Sequence, residues 1–279
     1  MSERLNHTDH RYMAASLRHA RRHRGLTGAN PSVGTLLVDE AGRVVGRGIT
    51  SKGGRPHAEA AAIEQAGDEA KDATFYVTLE PCAHESDRGP ACADLITAAK
   101  PARVVIAARD PDPRTAGKGI ERLREAGIEV STGILENEAR SSMAGFFSRI
   151  EKDRPLVTLK LATSLDGMIA MADGSSRWIT GEAARAHVHL ERARCDAILV
   201  GGGTLRDLLM QDSEEFELLL AKMAMSHQEN VARIARIVKR AGIAEPINRR
   251  DRGPDDPVQI WPDAAWAIFF DRVTGFALP

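Results

Sequence analysis

A chain of 279 residues exceeds what one hydrophobic core usually organises, so two domains are expected. Its 43% apolar and 28% charged residues fit a soluble globular protein, while 4% aromatic residues and a formal net charge of −1 exclude the stacking platforms and basic surplus of a nucleic-acid binder, though not a small phosphorylated ligand. No run approaches the ~20 apolar residues of a membrane span, residues 1–10 lack the apolar stretch of a secretory leader, and three scattered cysteines suit a reduced, cytoplasmic setting; neither a nucleic acid nor a membrane is expected as partner.

Thr8 or Asp9 can cap a first helix whose apolar face reads Met13, Leu17 and Ala20 and which ends at Gly25. A strand pair follows, Val33–Asp39 and Arg43–Ile49, around a turn at Glu40, Ala41 and Gly42. An alanine-rich helix spans about His57–Ala66, Thr74–Leu79 reads as a buried strand, Ala91–Ala99 as a helix and Arg103–Ala107 as another strand. Lys118–Ala126, Ile128–Ser131 and Leu135–Ile150 complete the series as helix, strand and helix. Helices alternating with short apolar strands imply a mainly parallel sheet covered on both faces, an α/β sandwich with the opening strand pair as its antiparallel exception. The charged stretch Glu151–Pro155 is the linker candidate, closing a first domain at about residue 150. Beyond it, strand Leu156–Thr163, a capped helix Thr180–Arg194 and strand Asp196–Val200 begin a second α/β unit.

His57 opens a helix, Cys82 follows a strand after Pro81, and Cys92 opens a later helix. One imidazole and two thiolates can hold zinc tetrahedrally and leave its fourth position to water, whose pKa falls to about 7. Helix amino termini favour the thiolates, Cys92 foremost. Glu59, two residues from His57, is placed to take a proton from that water and return it to a ring nitrogen and a departing amine, the arrangement of zinc deaminases, whose signature is His-X-Glu with a later Pro-Cys. The two cysteines stand ten positions apart, so residues 83–91 must loop out and return. His84 is a competing ligand or, with Arg88, a contact for an anionic substrate group. The plainer readings are that His57 only caps its helix, the cysteines fill the core, and His84 and Arg88 lie in a solvated loop.

Several segments closely resemble the bifunctional riboflavin-biosynthesis deaminase/reductase family: Asn30-Pro31-Ser32-Val33-Gly34, His57-Ala58-Glu59-Ala60, Thr78-Leu79-Glu80-Pro81-Cys82-Ala83-His84, Gly89-Pro90-Ala91-Cys92 and Asp110-Pro111-Asp112-Pro113 before Gly117-Lys118-Gly119. The resemblance covers residues 9–150 and implies a cytidine-deaminase-like three-layer sandwich acting on a phosphoribosylated diaminopyrimidinone, with Asn30 bonding the ring and His84 and Arg88 near the phosphate. Leu159–Gly167, Ser176–Gly181 and Asp196–Thr204 resemble the start of the family's NADPH-dependent reductase domain, which is dihydrofolate-reductase-like. That likeness implies Ala162, Trp178 and Thr180 at the cofactor and Ser176 at the substrate.

After about Arg206 the family motifs stop, so the expected reductase domain, residues 151–206, is partial and its activity impaired. Residues 207–279 form an unassigned tail, an amphipathic helical stretch from Ser213 to Gly242 followed by loop-rich sequence. Unpacked apolar segments after Leu156 make self-association expected. Two alternatives to the riboflavin-pathway deaminase stay open: another zinc deaminase acting on a base, nucleoside or tRNA, and a non-catalytic scaffold in which a fourth protein ligand closes the metal site.

Overall fold

In a computed structural model of the chain, the structure describes residues 2–84, 89–176, 178–196, 270–271 and 276–277. It divides into two units, Met1–Asp153 and Arg154–Pro279, the division falling inside the charged stretch 151–155.

The first unit is built on a five-stranded sheet: β1 Gly34–Val38, β2 Val44–Ile49, β3 Thr74–Leu79, β4 Arg103–Ala108 and β5 Glu129–Thr132, in the order β2-β1-β3-β4-β5. The sheet is mixed. β1 runs antiparallel to β2 and also to β3, whereas β3–β4 and β4–β5 are parallel. The opening hairpin is therefore not a lone exception to a parallel sheet, because it joins the sheet through β1 and imposes a second antiparallel ladder. β1, β3 and β4 are buried along nearly their whole length, as strands covered on both faces must be. The edge strands β2 and β5 carry exposed positions.

Helices α1 Ser2–Ala20 and α5 Glu136–Ser142 pack on one face, against β1, β3 and β4. α2 Ala58–Ala66, α3 Cys92–Ala99 and α4 Lys118–Glu125 form the other layer, α2 lying on β2 and β1 and meeting α3, which meets α4. This is the three-layer α/β sandwich. α1 begins upstream of Thr8 and Asp9, so neither caps it; Asp9 is buried inside the helix. Its carboxylate accepts from Tyr76 Oη at 2.9 Å and Arg103 Nη2 at 2.5 Å, tying α1 to β3 and β4. α2 sits so close to β2 that a Cβ on Gly48 would lie 1.9 Å from the Ala58 carbonyl oxygen, which only glycine avoids. The helix expected over 135–150 is broken at Met143 (φ −113°, ψ 24°), giving α5 and α6 Ala144–Lys152.

In the second unit the expected strand 156–163 is not formed. Leu156, Val157, Leu159 and Leu161 are exposed along it, and among the described residues no strand pairs with it. α7 Glu182–Ala193 fills the helix expected over 180–194, with Gly181 as its N-cap. Residues 197–200 of the expected strand, and the helical tail, lie outside the described residues. Near the end of the chain β6 Phe270–Asp271 pairs antiparallel with β7 Phe276–Ala277. Among the described residues no helix is long and apolar enough to cross a membrane.

Candidate active site

Three local structures deliver the metal-ligating side chains. His57 is the residue before α2, in extended conformation (φ −73°, ψ 163°), and its ring makes no bond to the helix end, which rules out a capping role for the imidazole. Cys82 follows β3, and Cys92 is the first residue of α3. His57 Nδ1 lies 3.3 Å from Cys92 Sγ and 3.6 Å from Cys82 Sγ, and the three donor atoms fall within 4.8 Å of one another. A tetrahedral zinc with ordinary bond lengths separates nitrogen and sulfur ligands by about 3.6 Å. The donor set thus fits the ion in both chemistry and spacing, with His57, Cys82 and Cys92 as the residues that would hold it. The cysteines are buried side chains with a function besides filling the core.

The two sulfurs sit in different hydrogen-bonding surroundings. The backbone N–H of Cys92, at the amino terminus of α3, donates to Cys82 Sγ at 3.3 Å. Hydrogen bonding from the Cys92 side chain, together with His57 and that amide, pulls the Cys82 thiol down to about 4. Cys92 is pushed up by its bond to Cys82 and by burial. The amide at the helix terminus points across the gap at Cys82 and not back at its own side chain, so the terminus expected to favour Cys92 foremost reaches Cys82 directly.

Glu59, in the first turn of α2, is 3% exposed. Burial raises its carboxyl to about 6, partly offset by the neighbouring His57. It lies beside the donor triad in the lining of an open cleft. Asn30, His57, Cys82 and His84 also line that cleft. His84 stands outside the donor triad, its Nδ1 3.3 Å from Thr115 Oγ1. Arg88 lies outside the described residues.

Sequence reading missed much of the cleft's charge. Asp110, Asp112 and Arg114 line it from the loop after β4, Arg55 from the turn before α2, and Arg149 and Phe146 from α6. Arg114 holds Asp112 through Nε and Nη2 contacts of 2.6–3.1 Å. Burial pushes Asp110 up to about 6. One signal was available: the Asp110–Pro113 turn follows a parallel strand, and ligands of open α/β sheets bind beyond the carboxyl ends of such strands. Nothing local marks Arg55 or Arg149.

The reductase-side residues lie in the second unit. Arg185 stacks 4.4 Å from the centre of the Trp178 ring and donates to the Thr180 carbonyl at 2.6 Å, bringing those two together. Ser176 is exposed and Ala162 half-buried.

Comparison with known proteins places both halves. The family model described as the cytidine and deoxycytidylate deaminase zinc-binding region matches residues 6–108, and that of the RibD C-terminal domain matches residues 155–241, past Arg206, where the motifs alone end the likeness. The chain is 47% identical over 201 residues to the riboflavin biosynthesis protein RibD of Aquifex aeolicus, covering 72% of this chain and 56% of that protein. With the Escherichia coli protein of the same name it is 45% identical over 231 residues, covering 82% and 62%. Among solved structures, a diaminohydroxyphosphoribosylaminopyrimidine deaminase/5-amino-6-(5-phosphoribosylamino)uracil reductase from Thermotoga maritima superposes with a TM-score of 0.67 at 40% identity, covering 74% of this chain and 58% of that one. The chain thus spans less than two thirds of each of these relatives. With its zinc-type donor triad in the first unit and the matched reductase segment in the second, the chain belongs to the RibD family of riboflavin biosynthesis proteins.

Proposed function

We propose that the first unit hydrolyses the amino group from a phosphoribosylated diaminopyrimidinone, a zinc-dependent deamination in riboflavin biosynthesis, and that the segment after Arg154 serves the NADPH-dependent reduction of the ribosyl group that follows. The observation that carries the deaminase reading is the buried Glu59 lining one cleft with His57 and Cys82, beside the donor triad that Cys92 completes.

Zinc, when bound, supplies Lewis acidity that makes hydroxide available near neutral pH. Glu59 takes the proton of the attacking water at its carboxylate. It hands that proton to the ring nitrogen next to the carbon under attack, then carries the remaining hydroxyl proton to the amine, which leaves as ammonia as the carbon–nitrogen bond breaks and the carbonyl forms. A carboxyl raised to about 6 by burial is suited to both accepting and giving a proton. Asn30 is assigned to the pyrimidine ring, and His84 with the arginines that line the cleft, Arg55, Arg114 and Arg149, to the phosphoribosyl arm. Arg88 joins that assignment from the family likeness alone. Ser176 is assigned to the reductase substrate, and Ala162, Trp178 and Thr180 to NADPH, on the same footing.

The test is ammonia release from the pathway pyrimidine, cytidine and guanine in parallel. Turnover confined to the phosphoribosylated pyrimidine supports the assignment; preference for a free base or nucleoside rejects it. Glu59→Gln should leave zinc content unchanged and lower kcat by about 10²–10⁴-fold, the range typical of a lost general acid-base group. Retained turnover in that variant would sink the proton-shuttle role and favour a scaffold.

A further inference from the structure

The cleft contains a second fully buried glutamate that the proposed chemistry does not use. Glu80 directly follows β3, two residues before Cys82, and is 2% exposed. Both of its oxygens are taken up by backbone donors of one downstream segment. Oε2 accepts from the N–H of Asp110 at 3.2 Å and of Gly117 at 3.0 Å, and Oε1 from Gly119 at 3.0 Å and Ile120 at 3.2 Å. Two of these four amides belong to the first turn of α4, whose N–H groups have no partner within the helix. The other two lie at either end of the loop between β4 and α4.

That loop delivers part of the polar lining of the cleft. Asp110, Asp112 and Arg114 line the cleft, and Thr115 meets His84. Within itself the loop is held by local bonds, among them Asp112 N–H to Asp110 Oδ1, the Arg114–Asp112 pair, and the N–H groups of Thr115 and Ala116 to the Asp112 carbonyl. Glu80 is what joins both of its ends to the strand that leads into Cys82. A carboxylate is matched to this task, because it offers lone pairs on both oxygens. An amide of identical shape would turn a donor group toward two N–H groups and leave them unpaired.

We propose that Glu80 is a positioning residue for the substrate: by gathering four backbone N–H groups it fixes the Asp110–Gly117 loop so that Asp112, Arg114 and the His84–Thr115 contact stand at a set distance from the metal-ligating side chains. This rests on the deaminase reading of the cleft. It assigns Glu80 no proton and no contact with the reacting atoms. The consequence is expected in substrate capture, since Asp112 and Arg114 line the cleft without belonging to the donor triad.

Glu80→Gln in the full chain is expected to raise KM for the phosphoribosylated pyrimidine by about tenfold or more while kcat stays within about threefold, with zinc content unchanged. Amide hydrogen exchange should quicken at Gly117, Gly119 and Ile120. Gly117→Ala approaches the same anchor from the loop side: Gly117 has φ +92°, a conformation costly for alanine, while the carboxylate stays intact. It should move KM in the same direction, and the double variant should show less than the sum of the two effects. If the glutamine variant does not fold, the KM and exchange results of Gly117→Ala decide alone. A loss in kcat at unchanged KM, an unchanged KM, or unchanged exchange overturns the positioning role. Absence of ammonia release by the wild-type chain would instead count against the deaminase reading, and the exchange comparison would still judge the anchor.

Discussion

At the residue scale, the metal-ligating set was legible because its chemistry is local: a histidine, a glutamate two residues on, and cysteines at a strand end and a helix start carry their meaning in type and context. Glu80 carries no such mark. Its partners lie 30 to 40 residues downstream, and a glutamate beside a Pro-Cys pair looks like a surface residue until the sheet brings those amides to it. Asp110 is the same kind of case, a turn residue by sequence and a largely buried carboxyl in the structure. Its folded-state value, raised by burial from 3.8 to about 6, has a definite sign. The contribution to stability is fully present below pH 3.8 and lost as pH rises through about 6, where burial of the charge becomes a penalty. Asp110→Asn keeps the oxygen that accepts the Asp112 N–H at 2.9 Å and removes that penalty. The variant should be about 1–2 kcal/mol more stable than wild type at pH 8, after discounting for partial solvent screening, with the difference vanishing below pH 4. Urea unfolding at the two pH values measures it; a difference that does not change with pH would refute the assigned cause.

At the element scale, strands and helices of the first unit followed from alternation and periodicity, and the departures came where a tertiary contact intervenes. α1 runs through its presumed cap because Asp9 finds Tyr76 and Arg103 instead of its own helix end. One helix expected over 135–150 became two because Met143 leaves helical geometry. The Gly48 contact gives the closest test of how an element positions the site. A methyl group there would meet the Ala58 carbonyl at 1.9 Å, and α2 carries Glu59 just behind His57. Gly48→Ala should cost about 1–3 kcal/mol, the usual range for overpacking, and weaken zinc binding as α2 is lifted from β2. Thermal melts and zinc titration would show both losses together; a melt unchanged from wild type contradicts the packing argument.

At the scale of the whole molecule, every described residue of the buried apolar core falls between Tyr12 and Phe147, inside the first unit. A core closed within one segment predicts autonomy. A fragment of residues 1–153 should unfold in one cooperative transition, bind one zinc ion and retain ammonia release, checked by calorimetry, metal analysis and assay. Chelation should lower its melting temperature, since an ion bound only by the folded state stabilises it. A fragment that fails to fold, or a melt indifferent to chelator, would refute the autonomy or the metal linkage respectively.

From its amino acids alone, the protein could be assigned an α/β deaminase-type first half, the zinc-type donors His57, Cys82 and Cys92, and Glu59 among them, because each rests on composition, period or a short motif. The second antiparallel ladder through β1, the preference of the α3 amide for Cys82, the charged wall of Asp110, Asp112, Arg114, Arg55 and Arg149, and the Glu80 anchor were decided by tertiary structure. The physical reason is shared: each depends on which backbone donors and charges meet after the sheet has ordered its strands, and such meetings leave no trace in the spacing of neighbouring residues.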